Sequence, residues 1–256
     1  MSFDIRYDAQ YAILTLNRPE ARNALQFTMI EAISYALDQI AASPARALIV
    51  TGAGARSFCA GADIKELLER DLASQRRGAQ LGQRTFAKLA DLPIPSVAVI
   101  HGHAFGGGLE LAMACTFRIA TVHGRMGLPE IKLGLIPGYG GTQRLSRLVG
   151  EARALELAMS GRTIDAIEAE RWGLVNRVVA DGDPVELGKT FMAEFTGFSR
   201  CASRFAREAV RRGMDTTLAA GLDIEADLST LAYQTQDAEE GMRAFLDKRA
   251  PVFKDA

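Results

Sequence analysis

The chain has 256 residues, of which 48% are apolar and 24% charged, with a formal net charge of −1. That length allows one large domain or two small ones around a sizeable core, and the composition is that of a soluble globular protein. The near-zero charge gives no global pull toward nucleic acid or anionic lipid, and no apolar run reaches the roughly 18 residues of a membrane span.

The opening residues, Met1 to Asp8, lack the basic-then-apolar pattern of a secretory signal. Cys59, Cys115 and Cys201 are an odd number, widely spaced and in apolar surroundings. They read as reduced, partly buried thiols, which points to the cytoplasm.

Phe3–Tyr7 and Ala12–Leu16 flank Asp8-Ala9-Gln10 and predict a hairpin. Asn23 with Gln26 three residues on has the spacing of a capping box. Leu25, Met29, Ile33, Leu37 and Ile40 then follow at three- and four-residue intervals, the apolar face of a helix. Ala47–Val50 and Ser96–Ile100 are short continuous apolar runs, expected as buried parallel strands. Between them, Asp63 through Asp71 reads as a charged helix. Strand, helix, strand implies right-handed crossovers and a mostly parallel sheet. After about residue 145 the pattern turns helical: Ala152–Met159, Asp165–Trp172, Asp183–Phe195, Ala202–Arg212 and a last stretch from Leu218 to Phe245. The division is expected as a core of residues 1–195 and a helical region of residues 196–256. No internal repeat or low-complexity linker is evident.

Two glutamates carry the chemical information. Glu110 follows the glycine run Gly106-Gly107-Gly108, and Glu130 follows Gly127-Leu-Pro129. The glycine run comes directly after a strand and directly before a helix. Unpaired N–H groups at a helix start carry the positive end of the dipole and suit an oxygen that gains negative charge. The spacing is neither G-x-G-x-x-G nor G-K-[ST], so this is no nucleotide fingerprint. Glu110 alone reads as a helix N-terminal carboxylate, but its neighbours Leu109, Leu111, Ala112 and Met113 imply burial. A buried glutamate has a raised pKa suited to acid–base work. Glu130 begins a second helix-like stretch. Phe58-Cys-Ala-Gly-Ala-Asp63 is a second small-residue turn, where the Ala62 N–H can approach a ligand. Its ordinary reading is a tight turn with Asp63 as helix cap. His101, His103 and His123 have no third ligand at convincing spacing, so no metal site is expected. Arg76-Arg77 and Arg211-Arg212 read as solvated helix faces.

These segments together resemble the enoyl-CoA hydratase/isomerase, or crotonase, family. The resemblance runs through Leu16-Asn-Arg-Pro-Glu-Ala-Arg-Asn-Ala-Leu25, Phe58-Cys-Ala-Gly-Ala-Asp-Ile-Lys65 and Ala104-Phe-Gly-Gly-Gly-Leu-Glu-Leu-Ala112. It continues in Gly127-Leu-Pro-Glu-Ile131, in Gly134-Leu-Ile-Pro-Gly-Tyr-Gly-Gly-Thr-Gln-Arg-Leu145 and in Glu240–Phe253. It implies an α/β fold of repeated ββα turns with an all-helical C-terminal region that trimerises, as a homotrimer or a dimer of trimers. It implies an acyl-CoA thioester as ligand, with no cofactor beyond the coenzyme A of the substrate. The matching oxyanion positions are the N–H groups of Ala62 and Gly107, and the matching acid–base pair is Glu110 and Glu130. Ala60, Ala62, Asp63, Ile64 and Lys65 would line the CoA path, and Phe245 and Lys248 would reach toward CoA. Two positions depart from the family pattern: His101 stands where relatives often carry Asn, and Tyr139, where they often carry a smaller residue, would shape the acyl end.

The resulting expectation is a hydratase that adds water to a trans-2-enoyl-CoA in acyl-CoA breakdown. The alternatives are Δ3-Δ2-enoyl-CoA isomerisation, RNA binding as in some hydratase relatives, or a catalytically silent scaffold. Both glutamates together favour hydration, since one carboxylate serves for isomerisation. The near-neutral charge and the absence of a lysine-rich helix argue against RNA.

Overall fold

The structure, a computed structural model, describes residues 2–256. It falls into two units, one ending at Met192 and the other running Ala193–Ala256.

In the first unit, β1 (Phe3–Asp8) and β2 (Tyr11–Leu16) form the expected antiparallel hairpin. Ala9 makes its turn in the left-handed region, φ 51. Three strand pairs follow: β3 (Ala47–Gly52) with β4 (Ser57–Cys59), β5 (Ser96–Ile100) with β6 (His103–Phe105), and β7 (Phe117–Thr121) with β8 (Arg125–Gly127). The first strand of each pair joins one sheet and the second joins another. The larger sheet has the order β1-β2-β3-β5-β7-β10, with β10 at Arg177–Val179, and is parallel from β2 onward. The smaller has the order β4-β6-β8-β9, with β9 at Ile164–Asp165. Helix α1 (Phe27–Ala42) follows the hairpin, α2 (Leu72–Ala90) follows β4, and α3 (Gly107–Ala114) follows β6. These are the expected strand–strand–helix turns. Each turn passes from a long buried strand through a short one into a helix, so glycine-rich turns collect where the short strands end.

Residues of β2, β3 and β5 are buried almost throughout because both faces of the sheet are covered, which is why they read as continuous apolar runs. On α1 the predicted face is the buried one: Met29, Ile33, Leu37 and Ile40 are each 1% exposed or less. The remaining elements of this unit are α4 (Gly141–Val149), α5 (Glu151–Ser160), α6 (Ala166–Trp172) and most of α7 (Pro184–Thr196).

Three local expectations are corrected. Asn23 does not cap α1. It sits in the left-handed region, φ 58, and its amide donates to the carbonyls of Ala53 and Ser57 at 2.9 Å each, tying the α1 approach to the β3–β4 loop. The α1 N-terminus is instead capped from elsewhere in the sequence, where Glu66 Oε2 accepts from the Phe27 N–H at 2.6 Å. Residues 63–71 hold only a 3₁₀ turn at Ile64–Glu66, and the helix proper is α2, starting after the cap Asp71. The stretch from Leu218 to Phe245 is broken in two at Gln234–Thr235, where the Thr235 hydroxyl caps the next helix.

The second unit holds α8 (Arg200–Gly213), α9 (Leu218–Tyr233) and α10 (Gln236–Leu246). Its last residues return along α10. The Asp237 carboxylate, 2% exposed as a residue, accepts the N–H groups of Lys254 and Asp255, and Glu240 takes Arg249 on both oxygens. Asp255 in turn accepts from the Arg200 N–H at the start of α8. No helix among the described residues is long and apolar enough to cross a membrane.

Candidate active site

Helix α3 is buried at all eight positions, and two glycines at its start are required for different reasons. Gly106 lies in the left-handed region, φ 49, and a methyl there would stand 2.7 Å from Glu130 Oε1. A methyl on Gly108 would stand 2.2 Å from the Cys59 carbonyl oxygen. The glycine run therefore lets one backbone pass against β4 on one side and against a carboxylate on the other.

Glu110, one turn into α3, is 1% exposed. Its Oε1 accepts the N–H of Tyr139 at 2.8 Å and of Gly141 at 2.6 Å. Both donors lie on the turn that leads into α4, where Gly140 takes φ 113. Burial lifts the Glu110 pKa to about 7, helped by the nearby Glu130 charge and opposed by the two amide bonds.

Glu130 lies in a 3₁₀ turn, Pro129–Leu133, directly after β8. Burial raises its pKa as well. Its Oε2 is buried and has no hydrogen-bond partner among the described residues. The two carboxyls thus differ in support: one is held by backbone donors, the other is left to whatever enters the site.

Gly61, φ 110, turns the chain after β4. The Leu25 N–H donates to the Gly61 carbonyl at 2.8 Å and the Asp63 N–H donates to the Leu25 carbonyl at 2.8 Å, which pins the turn around Ala62. The Ala62 nitrogen is 3.3 Å from where a methyl on Gly107 would stand, so the two N–H groups are neighbours. Neither donates to a protein acceptor among the described residues.

A cavity of about 800 Å³ joins these parts, bordered by Ala60, Ala62, Ile64, Gly107, Glu110, Glu130 and Tyr139. Two residues expected on its wall are absent from it. Asp63 instead pairs with Arg18 at 3.0 Å and accepts from the Lys65 N–H at 3.3 Å, and Lys65 is exposed. Phe245 lies in the last turn of α10 in the second unit, 83% exposed, and Lys248 lies just beyond that helix in the left-handed region, φ 54. The histidines do other work. His101 lies 2.8 Å from the Gly54 carbonyl through Nε2, with its pKa held down by burial. His103 stacks on Phe105, and His123 pairs with Asp181 at 2.8 Å. Among the described residues no group of three or more acidic, His or Cys side chains is placed to hold a metal ion.

A family model described as enoyl-CoA hydratase/isomerase matches residues 7–256. The chain belongs to the enoyl-CoA hydratase/isomerase family. It is 44% identical over 242 residues to a probable enoyl-CoA hydratase of Mycobacterium leprae, covering 94% of this chain and 93% of that protein. It is 40% identical over 247 residues to the crotonyl-CoA hydratase of Syntrophomonas wolfei, covering 96% and 95%. Its fold superposes on the crystal structure of an enoyl-CoA hydratase from Bacillus anthracis with a TM-score of 0.95, at 37% identity and full coverage of both chains.

For a member of this family, sequence reasoning missed part of the cavity wall. Phe27, Leu67, Leu68, Gln75 and Ala79 border the cavity, as do Leu133, Leu135 and Ile136. A signal was present: Gly78 and Gly82 stand one turn apart inside α2, where glycine costs roughly 1 kcal/mol against alanine. The ring of Phe27 lies against Gly78 and that of Tyr139 against Gly82.

Proposed function

We propose that the protein is an enoyl-CoA hydratase that adds water across the double bond of a trans-2-enoyl-CoA to give a 3-hydroxyacyl-CoA. One observation carries the reading: a buried carboxyl, Glu110, and a half-buried one, Glu130, unequal in support, border the same cavity as two neighbouring N–H groups without protein acceptors. The thioester oxygen would accept from Ala62 and Gly107, which stabilise the charge that develops there. Glu110 accepts hydrogen bonds that favour its ionised form, so it suits the removal of a proton from water. The resulting hydroxide bonds the β-carbon, and the double-bond electrons move to the thioester oxygen. Glu130, whose buried Oε2 lacks a donor and whose pKa burial raises, suits delivery of a proton to the α-carbon. Atoms and charge balance within the site, and the reading needs no cofactor beyond the CoA of the substrate. Ala60 and Ile64 would flank the CoA arm and Tyr139 the acyl arm, while Asp63, Lys65, Phe245 and Lys248 remain candidates from the family pattern only.

Glu110→Gln and Glu130→Gln are expected to fold and each to lose on the order of 10² to 10⁴ in turnover of crotonyl-CoA. Full turnover by either variant would remove that residue from the chemistry. Replacing Gly107 by Pro deletes one oxyanion donor and should cost roughly 10²-fold or more, with circular dichroism as the folding control. Hydration is favoured over isomerisation because the site holds both carboxyls. Glu110→Ala should therefore depress hydration of crotonyl-CoA far more than isomerisation of 3-hexenoyl-CoA, followed by the ultraviolet absorbance of the conjugated thioester.

The same reading makes the protein a homotrimer or a dimer of trimers. Its support is the exposed apolar side chains of the second unit, with Leu218 at 79% and Leu246 at 78%. It also places the enzyme in the cytoplasm, in keeping with three free cysteines, two of them buried with pKa values pushed to about 12.

A further inference from the structure

The ring of Tyr139 is fixed between two helices. A methyl on Gly82 of α2 would stand 2.2 Å from Cδ1, and one on Gly107 of α3 would stand 3.1 Å from Cδ2. Phe86 meets the ring edge-on at 5.8 Å and 88°. Tyr139 is 7% exposed, and its own N–H is one of the two donors to Glu110. The ring is therefore part of the reacting centre's wall and has no room to swing into either helix. One turn further along α2, Gly78 receives the ring of Phe27 in the same way, with a methyl there meeting Cε1 at 2.6 Å. The Arg70 guanidinium closes over the Phe27 ring at 4.2 Å. Two glycine notches thus seat two aromatic rings, and both rings border the cavity on the α2 side.

We infer that the clamped Tyr139 ring sets the acyl preference of this site, making the substrate class short, unbranched enoyl-CoAs whose chains end within a few carbons of the reacting double bond. The inference rests on the hydratase reading. A carbon chain leaving the β-carbon meets a ring that packing prevents from yielding, and close-packed interiors answer added methylenes with strain. One methylene too many in such a pocket typically changes kcat/KM by roughly 10- to 200-fold.

The test is kcat/KM for hydration of crotonyl-, hexenoyl-, decenoyl- and hexadecenoyl-CoA and of a γ-branched enoyl-CoA. The wild type should fall steeply beyond hexenoyl-CoA and on branching, by about 10-fold or more. Tyr139→Ala should shift the ratio of decenoyl to crotonyl turnover upward by a similar factor, and Tyr139→Phe, which keeps the ring, should retain the wild-type ratio. A flat or rising wild-type profile overturns the inference whether or not Tyr139→Ala folds. So does an unchanged ratio in folded Tyr139→Ala, or a Tyr139→Phe profile that matches Tyr139→Ala. Absence of hydration at every length in the wild type would overturn the hydratase reading itself, and the acyl preference with it.

Discussion

Glu110 is lifted to about 7 chiefly by burial, even though two amides stabilise its charge. The proposed base must be ionised, so kcat/KM should rise with pH toward an apparent value near 7 that belongs to the coupled pair. A profile flat between about pH 5 and pH 9 would contradict this assignment of roles. The same shift has a consequence for stability. A carboxyl whose folded pKa exceeds its unfolded value of 4.5 contributes fully below 4.5 and loses that contribution as pH rises through about 7. Glu110→Gln should therefore gain in Tm relative to the wild type between about pH 5 and pH 9, read by calorimetry across that range. Glu110 was legible in the sequence because a charged residue stands among Leu109, Leu111 and Ala112. The unequal support of the two glutamates was not, since the donors to Glu110 come from residues 139 and 141, about thirty positions away in sequence.

At the scale of elements, α2 shows where sequence patterning misleads. Asp63 through Asp71 carries helical charge spacing, but Glu69 adopts φ 56 and Arg70 folds back over Phe27. Tertiary contacts override the local pattern. The true helix contains Gly78 and Gly82, which admit the rings of Phe27 and Tyr139. Propensity alone makes Gly82→Ala stabilising by about 1 kcal/mol. The 2.2 Å approach to a ring held from its other side decides the opposite sign. We expect a loss on the order of 1–3 kcal/mol by urea denaturation. A variant as stable as the wild type would show that the ring has slack. Strands such as Ser96–Ile100 were legible because double burial leaves a continuous apolar run. The short strands β4 and β8 were not, having three residues each.

The whole molecule divides into two compact units that meet in sequence within α7. What the sequence did not reveal is how the second unit secures its own end. Asp237 collects the N–H groups of Lys254 and Asp255, with the Asp237 N–H donating in return to the Ala256 carbonyl at 3.2 Å. No periodicity encodes contacts that run from a helix start to a chain end. Asp237→Ala leaves those donors without their acceptor and should cost on the order of 1–3 kcal/mol. Hydrogen exchange should quicken at residues 253–256 while the amides of β5 stay protected. Equal exchange in both proteins would mean that the clamp contributes little. The proposed self-association is checked separately by light scattering, where a monomer at micromolar concentration would reject it.

The amides of Tyr139 and Gly141 end on a single oxygen of Glu110, at 2.8 and 2.6 Å. That makes them built-in reporters. When the carboxylate takes up a proton, both donors face a weaker acceptor, so their nitrogen and proton resonances should move together with one midpoint. A protein labelled only with ¹⁵N-tyrosine and ¹⁵N-glycine would expose the ionisation of Glu110 directly, with no substrate present and no turnover needed. Addition of an unreactive thioester would then show how far the occupied site displaces that midpoint.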